Sequence, residues 1–136
     1  MPSTPPTHAT LVAIRAAHHA EATPSYDRVV FEFSGHMPLL RIEYVKQLIE
    51  DGAGLPVPIA GRAILLVQFT PAQAHSDSGQ ATAPNHMAPK LPLVKAIVSA
   101  GDFEGVVTYG IGLAKKADTR ILTMDNSNRL AIDFLG

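Results

Sequence analysis

The stretch YDRVVFEFS, residues 26–34, carries the clearest structural signal in the sequence. Apolar side chains alternate with others along it, and the inward apolar positions are Val29, Phe31 and Phe33. The opposite side includes Arg28 and Glu32. Successive side chains of an extended chain point to opposite sides, so a period of two residues is typical of a strand with one buried face. The stretch therefore predicts a strand whose phenylalanines enter a core.

A second stretch, near the end of the chain, repeats this pattern. The run NRLAIDFLG, residues 128–136, matches DRVVFEFSG, residues 27–35, in residue character, and its inward positions are Leu130, Ile132 and Phe134. Each run places an Arg and an acid four residues apart on its outward side: Arg28 with Glu32, and Arg129 with Asp133. Two interpretations stay open, because alternating strands match by binary pattern alone. The match reflects either that pattern or a sheet with pseudo-symmetric halves.

Short apolar or alternating runs elsewhere predict further strands. They are residues 10–16, 40–45, 62–70, 93–100, 104–113 and 119–124. The sequence from 46 to 54 is compatible with either a short helical turn or a loop. We therefore predict an all-β fold of about seven to nine short strands with at most one short helix, built as a β-sandwich or a partly open barrel.

The runs also suggest how the strands are arranged. The first has Val12, Ile14 and Ala16 on one side. Stretches 26–34 and 40–45 are separated by a short turn, which favours a hairpin. Residues 125–127, Asp-Asn-Ser, favour a turn that joins the last two strands. Residues 62–70 are apolar on both faces, which indicates a central strand, and the glycines of 104–113 indicate bulges or a close neighbouring backbone.

The length of 136 residues suits a single domain. Residues 1–9 are rich in Pro and Thr and predict a flexible tether, whereas residues 10–136 predict one β domain with a long loop at 71–89. The first residues show neither a basic nor an apolar signal region. We expect either that an export signal was removed ahead of them or that they are a natural cytosolic start.

The composition excludes several classes of function. Eleven Lys and Arg against 12 Asp and Glu give a net charge of −1, which provides no general attraction to nucleic acid. The chain has no Cys, so thiolate catalysis and disulfides are excluded. The longest apolar run, residues 63–67, is far shorter than the ~20 residues of a membrane-spanning helix. We expect no nucleic-acid partner and no membrane span.

Motifs for catalysis and metal binding are weak. The histidines lack metal-ligand spacing, although His75 and His86 of the long loop are close enough in sequence to converge on an ion. Asp102 and Glu104 are the candidate paired carboxylates of a small hydrolase, but their position in a turn favours backbone capping by Asp102. We predict no catalytic residue, no metal ion and no cofactor.

Three runs in order resemble the AMIN-like domain of bacterial envelope proteins. They are YDRVVFEFSG from Tyr26, GDFEGVVTYGIGL from Gly101 and TRILTMDNSNRLAIDFLG from Thr119. The resemblance covers about residues 10–136 and implies an all-β sandwich with a non-catalytic role. It also implies a location outside the cytoplasm, as a secreted protein or a lipoprotein, and binding or scaffolding of peptidoglycan or envelope proteins. The chain itself contains no lipobox Cys.

Outward charged residues form the candidate ligand site. They are Arg28, Glu32, Arg41, Glu43, Arg129 and Asp133. On neighbouring strands they line up as a mixed-charge stripe, which is either a solvated face or a platform for the carboxylates, amides and hydroxyls of the cell wall. A different hypothesis is a protein–protein interaction module, of which a homodimer is one form. Such a module would pair through an edge strand near residues 57–59 or through the Gly-rich strand 104–113.

Overall fold

The computed structural model describes residues 9–124 and 128–136, and these residues form ten β-strands and no helix. The strands are β1 (Ala9–His19), β2 (Tyr26–Ser34), β3 (Leu39–Val45), β4 (Ala63–Thr70), β5 (Ala72–Gln73), β6 (His86–Met87), β7 (Val94–Phe103), β8 (Val106–Leu113), β9 (Asp118–Met124) and β10 (Arg129–Leu135). The all-β prediction is confirmed. The strand count is slightly higher than expected because two strands of two residues each, β5 and β6, lie within the predicted long loop.

The strands form two sheets of five. The first sheet has the order β5-β1-β2-β10-β9, and the second has the order β3-β4-β8-β7-β6. The core lies between them, where Phe31 and Phe33 each place a ring 4.9 Å from the ring of Phe69. Every inward position predicted on β2 and β10 is buried. Each buried ring or branched side chain contributes about 1.5–3 kcal/mol to folding, so alternation in these two strands supplies much of the core.

Asp27 is a buried carboxylate that joins the two sheets. It lies on β2 at 1% exposure, and one of its oxygens accepts hydrogen bonds from the backbone N–H groups of Leu93 and Val94 at 2.7 and 2.9 Å. Its other oxygen lies 2.7 Å from Nδ1 of His18. A buried carboxylate is stable only when it is hydrogen-bonded, and here the bonds fix β2 against the start of β7.

The predicted hairpin of β2 with β3 is wrong. β2 pairs with β1 and β10, whereas β3 pairs with β4 in the other sheet. The chain crosses between the sheets after Gly35, which adopts a φ of 85° that favours glycine. Alternation reveals that each strand has a buried face but carries no information on which strand lies beside it.

β1 also departs from its predicted pattern. Its register against β2 shifts between Leu11 and Ala13, so one extra residue is inserted. Leu11 is therefore fully buried and Val12 is 38% exposed, whereas Val12 was expected to face inward with Ile14. The bulge restores the phase, because Ile14 is buried and Ala16 packs against the core as expected. β1 extends to His19, three residues beyond the predicted strand at 10–16.

The last two strands form the expected antiparallel pair, β9 with β10. The turn predicted at 125–127 lies outside the described residues. Residues 1–8 of the predicted tether also lie outside them, and Ala9 is the first residue of β1.

The apolar part of the outer face of the second sheet, on β4 and β7, is covered by residues 46–61, here called the covering segment. This segment contains no helix, and its Leu48 is fully buried against the small residues Ala96, Val98 and Ala100 of β7. β4 is accordingly a central strand, as predicted, with a buried core face and with Ile64 and Leu66 partly buried on its other face. The segment packs so closely that a Cβ on Gly112 would lie 1.8 Å from the carbonyl oxygen of Ala60. The predicted close neighbouring backbone is therefore confirmed at this glycine.

Candidate functional site

The two similar strands, β2 and β10, lie side by side and antiparallel. In their register Arg28 is opposite Asp133 and Glu32 is opposite Arg129, with Val30 opposite Ala131 at the centre. Because each strand has its Arg four residues before its acid, antiparallel pairing places an Arg opposite an acid twice. The repeat in the sequence thus produces a self-complementary pair of strands. Four of the six predicted site residues meet on the outer face of the first sheet.

The neighbouring strands add two arginines that the sequence analysis missed. Arg15 of β1 donates from Nη1 to Oε1 of Glu32 at 2.9 Å, and Arg120 of β9 donates from Nη2 to Oδ2 of Asp133 at 2.7 Å. Arg120 is directly opposite Asp133. Setting the register of the predicted final hairpin from its turn would have found Arg120, whereas Arg15 required knowing that β1 pairs with β2.

These six residues form what is here called the arginine network. Its members are Arg15, Arg28, Glu32, Arg120, Arg129 and Asp133. Arg28 binds Asp133 through two parallel bonds, Nε to Oδ1 at 2.7 Å and Nη2 to Oδ2 at 3.0 Å. Arg129 donates from Nε to Oε1 of Glu32 at 3.1 Å. Four guanidinium groups share two carboxylates, so the network carries a net charge of +2 when both acids are ionised.

Both acids of the network have pKa values below their ordinary ones. Burial by itself raises the pKa of Asp133, but hydrogen bonds from Arg28 and Arg120 outweigh it and hold that pKa below 3.8. Hydrogen bonds from Arg15 and then Arg129 lower the pKa of Glu32. Both carboxylates are therefore ionised at neutral pH, and neither neutralises more than one of the arginines.

Tyr26 extends the arginine network at one end. The guanidinium carbons of Arg28 and Arg120 lie 5.2 and 5.1 Å from the centre of its ring, within the range of cation–π attraction. The ring of His19 stacks on it at 4.7 Å. Three network arginines, Arg15, Arg120 and Arg129, keep 60%, 47% and 43% of their side chains exposed. The face thus presents fixed, partly exposed guanidinium groups beside an aromatic ring.

Comparison with known proteins agrees with this architecture. The family description of the AMIN-like domain matches residues 9–136, which is nearly the whole chain. The chain belongs to the AMIN-like domain family. No curated protein sequence matches it. The resemblance stated from the three sequence runs is therefore confirmed for this AMIN-like domain.

Arg41 and Glu43 do not join the arginine network of the AMIN-like domain. They lie on β3, at the edge of the second sheet, where Arg41 binds Glu43 and also donates to Gln68 at 2.8 Å. The predicted stripe of six residues is therefore divided between two sheets. The physical reason is the chain crossing after Gly35, which separates β3 from β2.

The candidate carboxylates for hydrolysis, Asp102 and Glu104, have different environments. Asp102 accepts a hydrogen bond from the backbone N–H of Ala74 at 3.1 Å and lies 2.6 Å from Nδ1 of His75. The expected backbone cap therefore exists, although the N–H belongs to another loop. Asp102 lines a groove of about 640 Å³ with Asp51 and Phe103, and Glu104 does not line it. The two carboxylates do not share a cleft.

The described part of the chain lacks both a metal-binding cluster and a membrane-spanning helix. Residues 9–124 and 128–136 contain no group of three or more His, Asp or Glu side chains placed to hold a metal ion. Within the same ranges, no helix has the length and apolar character to cross a membrane.

The edges predicted for protein pairing are not edges in the AMIN-like domain. Residues 57–59 belong to the covering segment and pack on the second sheet, and β8 lies between β4 and β7. An internal strand has its hydrogen-bonding groups occupied on both sides, so it cannot accept a further strand. Among the described strands, the long ones at the ends of the sheets are β3 and β9.

Proposed function

We propose that this AMIN-like domain is a non-catalytic binding module of the bacterial cell envelope. We further propose that it acts outside the cytoplasm and holds the free carboxylates of peptidoglycan peptides on its arginine network. Membership of the family supports a cell-wall-related binding role. The observation that carries the choice of site is the excess of four guanidinium groups over two carboxylates on one open sheet face.

The geometry favours carboxylates over sugar rings as the groups that are recognised. Arginine presents a planar set of N–H donors that matches a carboxylate, and charge-assisted bonds are stronger than neutral ones. Glycan sites usually stack sugar rings on exposed aromatic side chains. The chain has no Trp, and Tyr26 is the aromatic residue of the network face. Its ring is already occupied by two guanidinium groups and His19.

Co-sedimentation with purified peptidoglycan tests the proposal. We expect the wild-type domain to sediment with the polymer and to be released by salt, because charge attraction between exposed groups is screened. The double variant Arg120→Gln with Arg129→Gln removes two partly exposed cations and leaves Arg28 on Asp133. We expect it to lose most of its binding.

Two controls make the test specific. The variant Arg62→Gln removes an exposed Arg beside the second sheet and should bind like the wild type. Peptidoglycan whose carboxylates have been converted to amides should not retain the wild-type domain. A wild-type domain that stays in the supernatant contradicts the proposed function. Equal binding to native and amidated polymer contradicts the carboxylate as the ligand.

A further inference from the structure

β3 is an edge strand that lacks several of the features that usually prevent pairing. It spans seven residues, LLRIEYV, and β4 is its only strand partner among the described residues. Its register against β4 is continuous, with no bulge, and it contains neither Pro nor Lys. Natural proteins protect edge strands with such features because free backbone N–H and C=O groups can pair with another chain. The edge of β3 is therefore open to a further strand.

The sequence of β3 is complementary to itself when read antiparallel. A two-fold axis through Ile42 sets Arg41 of one copy opposite Glu43 of the other, and the same pair forms a second time. On the face toward the core, Leu40 is opposite Tyr44 and Ile42 is opposite Ile42. Opposite charges and apolar residues placed directly across from each other stabilise antiparallel pairs. This register keeps all seven residues of each strand paired.

The exposure of these side chains agrees with an unfilled edge. Leu39 is 77% exposed, the highest value among the large exposed apolar residues of the described chain. The same two-fold register places it opposite Val45 of the second copy. Arg41 and Glu43 keep 58% and 47% of their side chains exposed, although they bind each other within one strand. Both can therefore exchange that contact for one across the two-fold axis.

β9, the long strand at one end of the first sheet, lacks this complementarity. The equivalent axis through Ile121 sets Arg120 opposite Leu122, and Arg120 is already bound to Asp133. Asp118 would lie opposite Met124, so no pair of opposite charges forms in that register. Of β3 and β9, β3 is therefore the better strand for pairing with a second copy.

We infer that the domain forms a homodimer through antiparallel pairing of β3 with β3 of a second copy. The two second sheets then form one continuous sheet of ten strands. The arginine networks lie on the first sheets, so each copy keeps its network free. A pair of seven-residue strands buries less surface than the ~1,600 Å² of a standard stable interface. We therefore expect a weak dimer whose population rises with protein concentration.

Sedimentation velocity over a wide concentration range, with charge-reversal variants, tests this inference. We expect Arg41→Glu alone and Glu43→Arg alone to weaken dimerisation by about tenfold or more, since each places like charges opposite each other twice. The double variant that exchanges the two residues should dimerise like the wild type. An equimolar mixture of the two single variants should form a heterodimer, because each strand then complements the other.

Matched charge-reversal controls distinguish an effect of the position on β3 from an effect of net charge on dimerisation. Lys95→Glu and Glu50→Arg change the net charge by the same amounts at exposed positions away from β3, and both should dimerise normally. All the substituted side chains are exposed, so circular dichroism should show unchanged folding. A wild type that is monomeric at every concentration overturns the inference. So do single reversals that leave the dimer intact, or backbone amide protection that grows with concentration on β9 and not on β3.

Discussion

The outer faces of the two sheets differ in how they meet water. The face of the first sheet is open to water and satisfies its side chains through the arginine network. The outer face of the second sheet carries an apolar patch on β4 and β7 that is covered by residues 46–61. The sequence of β2 alternates, whereas β4 is apolar on both sides. The comparison teaches that continuous apolar character in a strand signals a covered face, and that alternation leaves a face available for a ligand.

The largest effect is expected where the covering segment lies closest to the second sheet. We predict that Gly112→Val destabilises the domain by about 3 kcal/mol, because the new side chain enters space held by the backbone of Ala60. Urea unfolding followed by circular dichroism measures this. Ala17→Val, which adds volume to the exposed face of the first sheet, should change stability by less than ~0.5 kcal/mol. Similar losses for both variants would remove the distinction between a covered and an open face.

A smaller effect is expected at the buried centre of the arginine network. We predict that Asp133→Asn destabilises the domain by about 2 kcal/mol at pH 7, since the carboxylate accepts charged hydrogen bonds from both Arg28 and Arg120. Thermal and urea unfolding at neutral pH measure the loss. An unchanged unfolding midpoint would mean that the arginine network does not contribute to the stability of the domain.

The same variant should alter the pH dependence of stability. The pKa of Asp133 is lower in the folded protein than its ordinary value of 3.8, because hydrogen bonds from the arginines outweigh burial. The stability that this shift contributes is therefore present above pH 3.8 and is lost as the pH falls through the folded-state pKa. Unfolding curves between pH 2 and 7 should fall less steeply in acid for Asp133→Asn than for the wild type. Stability curves that run parallel for the two proteins would contradict the contribution assigned to Asp133.

The smallest effect on stability is expected at the rim of the network. Arg15 is 60% exposed, and exposed ion pairs contribute little to folding. We predict that Arg15→Gln leaves the melting temperature unchanged and lowers affinity for peptidoglycan by about tenfold, the value of one charged hydrogen bond to a ligand. Calorimetry and co-sedimentation measure the two quantities. If Arg15→Gln lowered both the melting temperature and the affinity, the role of Arg15 would be structural only.

The sequence allowed the elements to be predicted better than their arrangement. The strand at 26–34 and its buried Val29, Phe31 and Phe33 were predictable because alternation is a local property that reports the buried face. The placement of β3 in the second sheet and the bulge after Leu11 were not, because they depend on tertiary packing. The site was divided for the same reason. Four of its predicted residues lie together on β2 and β10, whereas Arg41 and Glu43 lie on β3 in the other sheet.

The antiparallel register of β2 and β10 has a consequence for the fidelity of folding. Arg28 and Asp133 are 105 positions apart in the chain, so pairing these strands closes a long loop, which slows folding. A slip by one residue would turn every phenylalanine of β2 to water. A slip by two residues would leave Asp133 or Arg129 opposite Val30, and a slip by four would bring arginine against arginine or acid against acid. Each of these slips therefore destabilises the paired strands, and the ionic contacts favour the native register.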